Sequence, residues 1–268
     1  MGHRFRFEVP DQEWAAYLAG ALGSLASDGP AGRWSVIDHG LEATGGRYGA
    51  YRDGRRLFWC DDADDVVPLL LWWVNRTICF ETDHRVMVHA AAVTAGDRAL
   101  VLPAPQESGK TTLAAALVGE GFGYLTDEAA AFDPATGVVD PYPKWLSLKA
   151  GSWALFPHLR PRLPARVARF AASQWHVDPN AVRPDSVARS AEPAWLVVPR
   201  YEPGRSTDLQ PMERSEALSL LAGEAFTLRR FGPAGFQVLA EVVRRSSCWR
   251  LTTGSLDDAV AAVRSITG

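Results

Sequence analysis

Cysteine is scarce in this chain: its 268 residues include three, Cys60, Cys79 and Cys248, set far apart. An odd and scattered set builds neither a disulfide framework nor a metal site of paired thiolates, and it suits a reducing compartment. Long hydrophobic runs are also missing. The longest, Val66 to Val74, is interrupted by Pro68 and falls far short of a bilayer span. The opening Met-Gly-His-Arg-Phe-Arg has no signal-peptide core, and Arg6 stands where a myristoylation motif has Ser or Thr. Nor is there a surplus of one charge: 28 Lys+Arg face 31 Asp+Glu, for a net charge of −3. Bulk electrostatic binding to nucleic acid or to an anionic membrane is therefore not expected. The absences together predict a soluble cytoplasmic protein with neither a nucleic-acid nor a membrane partner.

What is present is globular in character, with 47% hydrophobic and 22% charged residues. At about 150 residues per domain, the length allows one large domain or two small ones. Residues 4–9 alternate like a half-buried strand, and Asp11 is placed to cap a helix through Trp14, Leu18 and Leu22. Gly29-Pro30 breaks the chain, and Asp53-Gly54 between two short apolar runs signals a hairpin. The stretch 64–80 reads as a buried helix, whose Trp72 and Trp73 are assigned to the core. Residues 1–82 thus form a small α+β unit without evident chemistry, and residues 83–268 form a second domain.

In that domain, 86–94 and 98–102 read as β runs joined by a tight turn, and 110–120 as a helix ended by Gly121. Later come a strand over 195–201, helices over 213–221 and 234–244, a strand over 248–252 and a closing helix started by Ser255 and Asp258. Between 157 and 190 periodicity fails: five prolines and six arginines accompany two aspartates. Such a stretch reads as a mobile loop, acting as a lid over substrate or as a disordered excursion.

The most informative segment is Leu102-Pro-Ala-Pro-Gln-Glu-Ser-Gly-Lys-Thr-Thr-Leu113. A strand, a turn of converging amides and a helix N-terminus make a phosphate-binding loop. Gln106, Glu107, Ser108, Gly109, Lys110, Thr111 and Thr112 would surround the phosphates. Gly109 permits close backbone approach, Lys110 supplies a point charge, and the Thr111 hydroxyl can sit on Mg²⁺. Two residues depart from the usual pattern. Ala104 replaces the first glycine, and Pro105 after it favours extended geometry at Ala104, so a costly positive φ is not required there. Glu107, a carboxylate beside a triphosphate, must face solvent or an arginine. Downstream, Tyr124-Leu-Thr-Asp-Glu128 puts two acids at the end of a short strand. Adjacent acids at a phosphate site can divide the work, one taking a proton and the other facing the metal.

With Val88-His89-Ala-Ala-Ala-Val93, Asp140-Pro-Tyr-Pro-Lys-Trp-Leu-Ser-Leu-Lys149 and the run 193–204, these pieces resemble in order and spacing the HPr kinase/phosphorylase superfamily. They are most similar to its HPr-kinase-related members from bacterial biosynthetic clusters, including the kinases of lasso-peptide systems. The likeness covers residue 86 to the end. It implies an α/β fold, with a P-loop HPr-kinase-like core of mixed sheet and flanking helices. It also implies ATP and Mg²⁺ as cofactors and transfer of phosphate to a Ser or Thr hydroxyl of a peptide or small protein, such as a natural-product precursor.

By position, Lys110 matches the family's phosphate-loop lysine and Thr111 its Mg²⁺-binding residue. Asp127 matches the carboxylate that takes the acceptor proton, and His89 the histidine beside the carboxylates. Glu128 replaces the second Asp of the family's pair, with a role divided between metal contact and orienting His89. The Arg-Glu-Gly signature of true HPr kinases has no counterpart, so HPr is not the expected substrate. Lys144, Lys149, Trp175 and His176 are candidates for substrate binding, with solvated or structural roles as the alternative. The resemblance also allows a homo-oligomer. A P-loop ATPase or assembly factor, a small-molecule alcohol kinase and a catalytically silent nucleotide-binding module are the competing readings.

Overall fold

The computed structural model describes residues 3–25, 30–40, 46–162 and 174–268. Gly2 and Gly29, and the centre of the expected 157–190 loop, lie outside these residues. The strands are β1 (Phe5–Glu8), β2 (Gly32–Asp38), β3 (Tyr48–Arg52), β4 (Arg55–Cys60), β5 (Val86–Val88), β6 (Ala90–Ala95), β7 (Arg98–Pro103), β8 (Gly123–Thr126), β9 (Ala130–Phe132), β10 (Val139–Asp140), β11 (Leu146–Lys149), β12 (Gln174–Val177), β13 (Glu192–Tyr201), β14 (Asp208–Pro211) and β15 (Ser247–Thr253). Helices accompany them throughout, giving a mixed α/β protein.

The chain divides into two compact units. One comprises Gly2–Ile78 with Ser147–Asp178, the other Cys79–Leu146 with Pro179–Gly268. Ser147–Asp178, which the sequence reading keeps with the C-terminal domain, thus groups with the N-terminal residues. A specific contact ties it there: the Tyr17 hydroxyl meets His176 Nδ1 at 2.6 Å. Hydropathy along a chain does not report which core a returning strand joins.

In the N-terminal unit, the sheet order is β1-β2-β3-β4. Asp53 and Gly54 both take positive φ (49° and 79°), the geometry of the tight hairpin turn that their sequence signals. Asp11 caps the helix Gln12–Leu22, its carboxylate accepting from the amides of Glu13 and Trp14. Trp73 is partly buried in the helix Ala63–Glu81. Trp72, expected in the core, is 55% exposed, its ring edge-on to Trp73. Two consecutive positions on a helix point about 100° apart, so both cannot face one core.

In the other unit, the main sheet runs β14-β15-β13-β7-β6-β8. β13 is parallel to both β15 and β7, whereas β6 is antiparallel to β7 and β8. A second, antiparallel sheet, β10-β9-β5, lies in the same unit. The expected single run over 86–94 is interrupted at His89, where the chain passes from one sheet to the other. Val86, Val88, Val101, Leu125, Phe132, Leu239 and Val242 pack in one buried cluster. Each such side chain contributes about 1.5–3 kcal/mol through removal from water.

At Gly123 the backbone of β8 passes so close to its neighbours that an added Cβ would stand 2.3 Å from Thr94 Oγ1. The edge of β8 is covered, with the Tyr124 amide donating to Ser186 O and the Ala188 amide to Tyr124 O. Within the expected 157–190 loop, β12 and the short helix Pro179–Val182 are regular.

Candidate functional site

The loop of residues 104–109 joins the C-terminal end of β7 to the helix Lys110–Gly119. Gly109 stands at the helix start with φ 93°, in the left-handed region that glycine adopts without strain. No side chain caps this helix, so its first amides are left for another acceptor. Ala104, as expected, does not take positive φ; within the loop Glu107 does, at 66°. Glu107, Pro105 and Gln106 are exposed.

Lys110 is buried, its ammonium folded back over the loop to donate to Ala104 O at 2.6 Å and Pro105 O at 2.7 Å. The Ser108 hydroxyl oxygen is buried and has no hydrogen-bond partner among the described residues. A buried hydroxyl without a partner is costly, and here it sits in a loop suited to surround an anion.

Asp127 follows β8 in a turn fixed by Thr126, whose hydroxyl accepts from the amides of Glu128 and Ala129. Its side chain is 1% exposed. Oδ2 accepts from the Thr111 hydroxyl at 3.3 Å, linking the carboxylate to the start of the phosphate-loop helix. Oδ1 lies 2.9 Å from Lys144 Nζ and 2.9 Å from the Tyr124 hydroxyl. Glu128 is less buried and approaches the same ammonium at 3.8 Å. Burial raises the Tyr124 phenol well above its usual range, and the Asp127 charge adds to that. Burial likewise pushes up the Cys79 thiol, with Glu128 contributing.

For Lys144, burial opposes its charge, but the Asp127 and Glu128 carboxylates outweigh that and leave its pKa raised. Lys144 is therefore neither solvated nor open to a substrate phosphate in this structure, because its ammonium is spent on Asp127. Lys149, Trp175 and His176 belong to the other unit. There Trp175 is buried and stacks on Trp153 at 4.7 Å, while His176 bonds to Tyr17 and Gln174. Lys149 is exposed.

The register places His89 one step beyond the Ala90–Pro103 pair, beside the loop's first residue. On its other side, Ala92 pairs with Thr126 and Val88 with Ala130, so His89 lies across from residues 127–129. Its ring nevertheless bonds elsewhere. Nδ1 meets Glu224 Oε2 at 3.0 Å, in place of the expected carboxylates of the Asp127-Glu128 pair. Glu224 is the residue that the sequence reading misses. It lies 135 positions from His89, in a helix end with no motif of its own.

The Thr111 hydroxyl and the less buried Glu128 carboxylate are hard oxygen donors of the kind that fits Mg²⁺, which usually takes one or two carboxylates and completes its shell with waters and substrate phosphates. No group of three or more His, Cys, Asp or Glu that could hold a metal occurs among the described residues. Among those residues no helix is long and apolar enough to cross a membrane. The chain matches no model of a known protein family and no curated protein.

Proposed function

We propose that this protein is an ATP- and Mg²⁺-dependent kinase, built on an HPr-kinase-like P-loop core, that phosphorylates a Ser or Thr hydroxyl of a peptide or small protein. The observation that carries the proposal is the partnerless buried Ser108 hydroxyl in an uncapped strand–loop–helix whose Thr111 is bonded to Asp127. Loop amides and the Ser108 hydroxyl bind the β- and γ-phosphate oxygens. Lys110, released from its own loop carbonyls, meets the charge that develops on the transferring group. Thr111 and Glu128 would hold Mg²⁺, which when bound would neutralise phosphate charge.

The test is incubation with γ-labelled ATP, Mg²⁺ and an arrayed set of serine- and threonine-containing peptides, with products located by mass spectrometry. The expected result is a gain of one phosphate on Ser or Thr, lost together with ATP binding in Lys110→Ala. Acceptor-independent release of phosphate would replace the kinase with an ATPase. Binding without turnover would leave a silent nucleotide-binding module.

A further inference from the structure

The His89–Glu224 pair lies in the unit that holds the phosphate loop, and its geometry is that of a base with an orienting carboxylate. An ionised carboxylate can only accept, so at 3.0 Å the His89 Nδ1 carries the proton and donates it to Glu224 Oε2. That fixes the tautomer: Nε2 is left with its lone pair, and it makes no hydrogen bond among the described residues. The two side chains are 16% and 21% exposed, enough to meet a ligand and sheltered enough to hold one geometry.

The main chain secures the pair whatever Glu224 carries as a side chain. The His89 amide donates to Glu224 O, the Phe226 amide to Met87 O, and the Met87 amide to the Thr227 hydroxyl. By register His89 stands one step beyond the Ala90–Pro103 pair, beside Ala104 at the start of the phosphate loop. Asp127, by contrast, has both oxygens occupied by Thr111, Tyr124 and Lys144, and its side chain is almost wholly buried.

We infer that Glu224 is a positioning residue that presents His89 Nε2 to the acceptor hydroxyl. This rests on the kinase reading and assigns the proton to His89 rather than to Asp127. As the acceptor oxygen forms its bond to the γ-phosphorus, the O–H proton passes to His89 Nε2. The bond from that phosphorus to the β–γ bridging oxygen breaks, and ADP leaves with the electron pair.

The experiment combines imidazole ¹⁵N NMR and phosphoryl-transfer kinetics on the full chain, using wild type, Glu224→Met and Glu224→Asp with the same arrayed peptides. Wild type is expected to show His89 protonated at Nδ1, and Glu224→Met to shift it towards the Nε2-protonated form. In Glu224→Met kcat falls on the order of 10²-fold, the lower range for a positioned general base, while the KM for ATP stays unchanged. Glu224→Asp, which keeps a carboxylate, restores part of kcat.

An unaltered tautomer in Glu224→Met overturns the positioning role, as does an unaltered kcat or a loss confined to the KM for ATP. Wild type that binds ATP yet phosphorylates no peptide overturns the kinase reading, and the proton assignment with it. Wild-type transfer alongside a fully active Glu224→Met protein overturns this inference alone.

Discussion

Replacing Lys144 with Met removes one half of an ion pair whose side chains are 5% and 1% exposed. Methionine has similar length and shape, so the main loss is the charge and not the packing. Asp127 would keep the Tyr124 and Thr111 hydroxyls, 2.9 and 3.3 Å away, but would lose the ammonium 2.9 Å from Oδ1. Removing one partner of a buried pair costs about 3–5 kcal/mol, because the other charge is left uncompensated. At about 2–4 °C per kcal/mol for a domain of this size, the expected fall in Tm is roughly 6–20 °C.

The assay is thermal unfolding at neutral pH, supported by urea unfolding to show that the m-value is unchanged. The double variant Lys144→Met/Asp127→Leu should recover most of the loss, since an apolar pair of similar volume is often neutral or better. Its Tyr124 hydroxyl still has the main-chain oxygen of residue 144 as acceptor at 3.0 Å. The pH dependence follows from the raised Lys144 pKa. A group whose folded pKa lies above its unfolded value contributes fully below about 10.4 and loses that contribution as pH rises through the folded value. Wild type should therefore shed stability on the alkaline side of that point, and Lys144→Met should shed less. A fall of under about 2 °C in Lys144→Met would refute the reasoning, since a pair so deeply buried cannot be worth so little.

Two further outcomes test the backbone. Glu107→Gly relieves a left-handed conformation that costs a side-chain-bearing residue about 1–2 kcal/mol, partly offset by glycine's entropy, for a net gain of up to about 1 kcal/mol in urea unfolding. It also removes a carboxylate from the loop, so calorimetry should show tighter ATP binding. Gly123→Ala forces a Cβ to within 2.3 Å of Thr94 Oγ1 and 2.7 Å of Ala188 Cβ, and should cost about 1–3 kcal/mol in the same unfolding assay.

The features legible in the sequence are those encoded by neighbours along the chain. Asp11 and Ser255 accept from amides two or three residues on, and Asp53-Gly54 turns within four residues. The strand–loop–helix around Lys110 is likewise local, since Lys110 bonds to carbonyls five and six residues back. The link from Thr111 to Asp127 spans 16 residues, and only the order of the motifs sets the two residues in one site. What escaped depends on distant segments meeting. His89 and Glu224 come together because 224–227 lies along 87–89, an arrangement with no periodicity or spacing to announce it. From sequence Lys144 reads equally as a substrate-binding or a solvated lysine, because burial of an ammonium is visible only once Asp127 and Tyr124 surround it.

The interleaved connectivity of the two units has a consequence for the order of events at the ribosome. The unit that contains residues 2–78 is completed only by residues 147–178. About 100 residues must therefore be synthesised after its first block before its second is complete, a delay of roughly 5–20 s at usual elongation rates. During that interval Tyr17 has no His176 to bond. A nascent chain released early, or a fragment ending near residue 78, would present an incomplete unit to chaperones and proteases, whereas Pro179–Gly268 emerges after its neighbour has all of its parts.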